Sequence, residues 1–189
     1  MARILQLAVA VLLCTALFTD VTHADDQSRA VKVGETKIEF PASWKRQTPS
    51  NRLRLAQFEV PAVAGDKEPA ELSIFAFGAG GTVAQQVQRW RGQFEPAGRE
   101  FKGSRGKSEL GEYVFVQLSG TYKKPNGPPI LRRTVPMPGA KMLIMMVAVE
   151  GKGNYFFKLV GHDKTVAANS KVFREALGAT KDEMPLKTE

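Results

Sequence analysis

The sequence has little cysteine and little histidine. Its single cysteine, Cys14, lies in an N-terminal segment with the features of a cleaved leader, and only one of its two histidines, His162, lies beyond that segment. A chain without this leader forms no disulfide, has no thiol nucleophile and cannot assemble the usual His/Cys zinc site by itself. We therefore expect no metal and no cofactor, and a fold that packing alone stabilises.

A long apolar run occurs once, at residues 4–18, and three residues within it are less apolar. A short basic head precedes the run, and the small residues Thr22 and Ala24 follow it. This pattern is typical of a Sec-type signal peptide cleaved between Ala24 and Asp25. A membrane anchor needs about 20 apolar residues, and Asp20 ends this run too early. We expect residues 1–24 to be removed and the mature protein to be periplasmic or secreted.

The rest of the chain has the length and composition of one globular domain. It contains turn signals but no linker between domains, and both of its ends are polar. Of all residues, 43% are apolar and 24% are charged, as in ordinary soluble domains. We predict a flexible tail at 25–30, a single domain at 31–179 and a second flexible tail at 180–189.

Seven segments have the β-branched and aromatic content of strands, and they are separated by glycine, proline and asparagine. These segments are 36–40, 52–60, 71–77, 113–122, 130–135, 142–150 and 154–161. In the sixth, residues 142–149 are apolar at every position, including Met142, Met145 and Met146. This predicts a central strand that is covered on both sides, with the methionines in the core.

Two segments show the helical period instead. After a capping residue, Thr82, an apolar stripe recurs at helical spacing, at Val83, Val87, Trp90 and Phe94. The second helix is predicted from a cap at Asp163 to a stop at Gly178, with Val166, Ser170, Phe173 and Leu177 on one face. Because strands and helices do not alternate, we predict an α+β fold, a largely antiparallel sheet covered by helices on both faces.

Catalytic motifs are scarce. His162 directly precedes Asp163, but no Gly-x-Ser-x-Gly motif supplies a nucleophile, and no pair of carboxylates stands out. A surface or capping role is the simpler interpretation of this histidine. We expect that the protein is not an enzyme, and the alternative is an extracytoplasmic hydrolase that uses His162.

Positive charge is in excess, with 27 Lys and Arg against 19 Asp and Glu. The candidate residues for binding an anion or a partner are Arg89, Arg91, Lys102, Arg105 and Lys107. Such a cluster favours an acidic protein or an anionic envelope surface as partner, while a merely solubilising surface is the alternative. We expect no nucleic-acid partner, because no RNA motif or DNA-reading helix accompanies the charge, and we expect a monomer.

Several short motifs follow one another in a characteristic order. They are FPASW at 40–44, QFEVP at 57–61, GG at 80–81, RWRGQF at 89–94, LSGTY at 118–122 and FFKLVG at 156–161. In this order the chain resembles the small exported bacterial proteins related to PsbP, the extrinsic photosystem subunit. The resemblance implies an antiparallel sheet between helices, an α/β/α sandwich, in a non-enzymatic accessory or binding domain. It transfers no docking or metal residue to this sequence.

The leader can be tested directly. We expect the exported protein to begin at Asp25, because Thr22 and Ala24 supply the small residues that signal peptidase requires. Intact-mass analysis of the purified exported protein measures this. A retained leader, or a lipid attached to Cys14, would contradict the prediction.

Overall fold

A computed structural model describes residues 29–77, 82–127, 129–179 and 182–187. The predicted leader and its cleavage site at Ala24 and Asp25 lie outside these ranges, so the signal peptide stays a prediction. None of the helices within the described ranges has the length and apolarity needed to cross a membrane.

The described residues form ten strands, three α-helices and one short 3₁₀-helix. The strands are β1 (Ala30–Val33), β2 (Thr36–Glu39), β3 (Lys45–Gln47), β4 (Arg54–Val60), β5 (Ala70–Phe77), β6 (Glu100–Ser108), β7 (Gly111–Pro125), β8 (Thr134–Val149), β9 (Gly153–His162) and β10 (Met184–Pro185). The α-helices are α1 (Val83–Arg91), α2 (Asp163–Ala168) and α3 (Ser170–Ala176), and the 3₁₀-helix spans Pro129–Leu131.

Eight of these strands form one antiparallel sheet in the order β10-β6-β7-β8-β9-β5-β4-β3, and β1 and β2 form a separate hairpin. The centre of the large sheet lies at β8, whose residues from Met142 to Val147 are buried whichever face they point to. The prediction of a central strand covered on both sides, with buried methionines, is therefore confirmed.

One face of the sheet carries the larger core, which β1, β2, α2 and α3 cover. Trp44 is fully buried there and stacks on Phe40, with ring centroids 5.6 Å apart. Its indole Nε1 donates a hydrogen bond to Asn169 Oδ1 at 3.2 Å, which satisfies the one polar atom that burial of the ring removes from water. The break between α2 and α3 falls at this same Asn169.

The other face packs against α1. The predicted apolar stripe is confirmed: Val87, Trp90 and Phe94 are buried, and Val83 is partly buried against the same core. A capping box fixes the start of the helix, because Thr82 Oγ1 accepts from the Gln85 amide and the Gln85 side chain accepts from the Thr82 amide.

The predicted α/β/α sandwich, with helices covering both faces of the sheet, is wrong. Strands account for 52% and helices for only 16% of the structure, and the three helices are short. The reason is geometric: α1 has nine residues and is about 14 Å long, whereas eight strands span about 34 Å. The fold is mostly antiparallel β, and the β1–β2 hairpin supplies part of the cover that helices were expected to supply.

Some boundaries also differ. The segment 130–135 was predicted as a strand, but its start belongs to the 3₁₀-helix and β8 begins only at Thr134. Strand β6 was not predicted, because its sequence EFKGSRGKS has little strand propensity. Asp163 is the first residue of α2 rather than its cap, and it forms an ion pair with Lys141 at 2.6 Å.

Residues 182–187, expected within a flexible tail, contain strand β10, which pairs with β6. Glu183 anchors this segment by accepting hydrogen bonds from Ser104 and Tyr113 hydroxyls and from the Arg174 guanidinium at 2.7 to 2.8 Å. Burial acts to raise the pKa of Glu183, but these hydrogen bonds outweigh it and hold the pKa below its usual value. The ionised Glu183 thus ties the end of the chain to the sheet.

The burial of Trp90 in α1 predicts how a substitution there changes stability. We expect Trp90→Ala to lower the free energy of unfolding by about 3–5 kcal/mol, the usual cost of removing a core aromatic ring. Arg89→Ala, at an exposed position of the same helix, is the control and should have a small effect. Chemical denaturation of both variants measures the difference, and equal midpoints would contradict the packing of α1.

Candidate functional site

The sheet face under α1 holds an open cleft of about 910 Å³. Its size falls within the range of about 300–1,000 Å³ that small-molecule sites occupy. One wall is α1, the floor is formed by β8, β9 and β5, and one end is closed by the β7–β8 hairpin. The lining side chains used below are Phe75, Phe77, Arg89, Trp90, Gln93, Tyr122, Lys123, Phe156 and Lys158.

Aromatic rings line the apolar part of the cleft. Phe77 contacts both neighbours, with ring centroids 5.9 Å from Phe75 and 5.6 Å from Phe156, and Trp90 lies edge-on to Phe156 at 6.1 Å. Phe77 is still 40% exposed although it belongs to this cluster. The cluster is open at Phe75 and Phe77 of β5, because the cover by α1 ends at Phe156 of β9, which is buried.

Lys158 provides the charge of the cleft floor. It lies in the middle of β9 and its Nζ donates hydrogen bonds to Gln93 Oε1 at 2.9 Å and to the Tyr122 hydroxyl at 3.1 Å. Nζ also lies 5.2 Å from the centroid of the Tyr122 ring. Burial lowers the pKa of Lys158 to about 8 and raises the pKa of Tyr122 to about 12. At neutral pH, Lys158 is therefore mostly charged and Tyr122 is a neutral hydroxyl.

No carboxylate within the described ranges forms an ion pair with Lys158. The carboxylate whose charge acts most strongly on the pKa of Lys158 is that of Glu71. Both of its oxygens accept hydrogen bonds from other donors. Arg54 and Ser73 donate to Oε1, each at 2.7 Å, and Gln57 donates to Oε2 at 2.9 Å. The charge of Glu71 favours the ammonium form of Lys158, but Glu71 does not form an ion pair with it.

More positive charge lies among the lining residues of the cleft. Arg89 projects from the exposed side of α1, and Lys123 projects from β7. Aromatic walls, a buried ammonium and two further cations suit a molecule with an apolar body and an anionic group.

The five predicted basic residues do not form one patch. Arg89 lines the cleft, while Arg91 lies over the Phe101 ring at 5.4 Å from its centroid. Arg105 lies on the same face of β6 as Phe101 but four residues further along, about 13 Å away. Lys107 follows Arg105 on that face, and Lys102 lies on the opposite face because strand residues alternate.

His162 does not have the surroundings of a catalytic base. It is partly buried at the end of β9, near the carboxylates of Asp66 and Glu68. The hydroxyl of Thr165, three residues further along the chain, donates to Asp66 at 2.7 Å and accepts from the Val63 amide at 3.2 Å. Among the described residues, no serine or threonine hydroxyl forms a hydrogen bond with His162, so the arrangement that the hydrolase alternative needs is not assembled there.

Sequence reasoning does not find Lys158, although the sequence carries a signal for it. The motif FFKLVG places one lysine inside an otherwise apolar strand, next to residues that β8 and β5 bury on both sides. A charged residue in such a strand has no route to bulk solvent unless its face is open.

The comparisons with known proteins found no matching family model and no matching curated protein. The relationship to the PsbP-like proteins stays a prediction. Within the described ranges, no three His, Cys, Asp or Glu side chains are grouped so as to hold a metal ion. The case for a function is therefore made from the geometry of the cleft.

Proposed function

We propose that the protein is an exported, non-enzymatic binding domain whose cleft under α1 holds an amphipathic anion. The observation that supports this best is the Lys158 ammonium, which lies among aromatic rings and, within the described part of the chain, has Gln93 and Tyr122 as its hydrogen-bond partners. A carboxylate, sulfonate or phosphate that reaches Nζ would supply the missing negative charge. An acyl or aryl body would cover Phe75, Phe77 and Phe156.

A purely structural role explains Lys158 poorly. An ammonium that is buried without a carboxylate destabilises the folded state, since its pKa is lowered from 10.5 to about 8. A methionine has a similar stem and would fill the same space without this cost. A charge held at the floor of an open cleft, at the expense of stability, is typical of a binding site.

The proposed ligand has the negative charge expected of a partner from the sequence, but most of the residues that would bind it differ from the predicted ones. Of the predicted set, Arg89 alone lines the cleft. An anionic envelope molecule of small size fits the cleft better than an acidic protein does, because the charge lies at the floor rather than on a flat face.

A probe with an apolar chain and an anionic head tests whether the cleft binds an amphipathic anion. We expect dodecanoate to bind, and Lys158→Met to weaken binding by about 10- to 100-fold, because a hydrogen bond to a charged group contributes about 1.5–3 kcal/mol. The melting temperature of this variant should equal or exceed that of the unsubstituted protein. Isothermal titration calorimetry measures the affinity. Lys107→Met removes the same charge from an exposed site on β6 and is the matched control.

Two outcomes would contradict the proposal. One is that dodecanoate does not bind the unsubstituted protein. The other is that Lys158→Met binds it as tightly as Lys107→Met does. Dodecyltrimethylammonium, which has the same chain with a cationic head, should bind more weakly than dodecanoate if the charge of Lys158 matters.

The affinity should also depend on pH. The pKa of Lys158 is about 8, so its positive charge is present below this pH and is lost as the pH rises through it. Dodecanoate stays ionised throughout, and we expect its affinity to fall between pH 7 and pH 9. The same titration on Lys158→Met should show no such fall, and an equal fall in both proteins would assign the effect to another group.

A further inference from the structure

The β7–β8 hairpin extends beyond the rest of the sheet. Strand β6 pairs with β7 only as far as Ser119, and β9 pairs with β8 only from Ala140 onward. The two strands continue pairing with each other as far as Pro125 and Thr134. We call residues 121–139 the arm; one bridge, from Phe94 to Tyr122, supports its base.

The tip of the arm is apolar and exposed. Ile130 is 87% exposed and Leu131 is 51% exposed, and Val135 beside them is exposed as well. Soluble proteins expose single apolar residues commonly, but a group of them at the end of a projecting hairpin is a feature of interaction sites. Nothing in the described part of the chain covers these side chains.

Positive charge surrounds this apolar tip. Arg132 and Arg133 directly follow Leu131, and Lys123 and Lys124 lie on the opposite strand of the arm. The segment from 121 to 139 contains no aspartate or glutamate. Of these four cations, Lys124 is the one that forms an ion pair among the described residues, with Glu68 at 2.8 Å, so the charges of Arg132 and Arg133 are available to a partner.

We propose that the tip of the arm docks on an anionic phospholipid bilayer. Ile130 and Leu131 enter the boundary between headgroups and acyl chains, and Arg132 and Arg133 contact lipid phosphates. The shape of the tip favours a bilayer over an acidic protein. Protein interfaces bury apolar residues in the centre of a fairly flat patch, whereas here they lie at a projecting end with cations behind them. In a membrane interface the acyl chains lie deeper than the anionic headgroups. A tip with apolar residues at its end and cations further back matches this arrangement.

This proposal does not depend on the ligand of the cleft. The tip residues Ile130, Leu131, Arg132 and Arg133 do not line the cleft, and Lys158 lies in β9. Failure of the membrane experiment therefore leaves the dodecanoate experiment unaffected, and the reverse also holds.

Co-sedimentation with vesicles tests the apolar part. We expect the protein to bind vesicles of phosphatidylglycerol and phosphatidylcholine and to bind pure phosphatidylcholine at least about tenfold more weakly. The double variant Ile130→Ser, Leu131→Ser should lose at least about tenfold in affinity for the anionic vesicles. Leu53→Ser, Leu55→Ser removes two exposed leucines elsewhere and should bind as the unsubstituted protein does.

A matched pair of charge reversals tests the basic part. Arg132→Glu, Arg133→Glu and Arg105→Glu, Lys107→Glu change the net charge equally, the first in the arm and the second on β6. We expect only the arm variant to lose vesicle binding, while both keep the melting temperature. Equal losses in the two variants would assign the binding to net charge, and a loss confined to the β6 variant would assign it to that strand. Either result, or no binding of the unsubstituted protein to anionic vesicles, would overturn the proposal.

Discussion

The structure depends on one mismatch of size, between an eight-stranded sheet and the single short helix on one of its faces. Helix α1 is about 10 Å wide and covers about two strands. Val87 and Trp90 of α1, with Phe94 just beyond its end, pack in the core over β7 and β8, and Trp90 also contacts Phe156 of β9. Phe75 and Phe77 of β5 lie beyond this cover and stay partly or largely exposed, and the cleft is the space that the helix does not fill. On the opposite face, β1, β2, α2 and α3 cover the larger core. A second cleft, of about 1020 Å³, lies at the edge of this cover, between the β1–β2 turn and the β6–β7 and β8–β9 turns.

The mismatch also explains why Lys158 is tolerated. On a fully covered face, its ammonium would lie between packed side chains without water or a counterion, and the strand could not hold a charge there. In the cleft, Nζ reaches Gln93 and Tyr122 and still faces open space. Glu71 is already held by the neighbouring Arg54, whose Nη1 lies 2.7 Å from Glu71 Oε1, so among the described residues no carboxylate forms an ion pair with Lys158.

The sequence predicts those parts of the fold in which local pattern and tertiary packing agree. The stripe of α1 and the buried strand from Met142 to Val147 follow from periodicity and hydrophobicity alone. Strand β6 does not follow, because pairing with β7 rather than its own composition makes it a strand. The placement of the basic residues does not follow for the same reason: unless residues 100–108 are known to form a strand, the sequence cannot show that Lys102 and Arg105 point to opposite faces.

The arm and the cleft are joined by one irregularity in the sheet. The pairing of β7 with β8 shifts between Gly120 and Tyr122, and Gly120 has a φ of 135°, which side chains with a Cβ rarely adopt. Such a bulge bends the paired strands, and the ion pair of Lys124 with Glu68 holds the bent arm beside the start of β5. Pro125 and Thr134 of the arm thereby close one end of the cleft. The bulge thus places the base of the arm against the cleft, while Ile130 and Leu131 at its tip stay exposed.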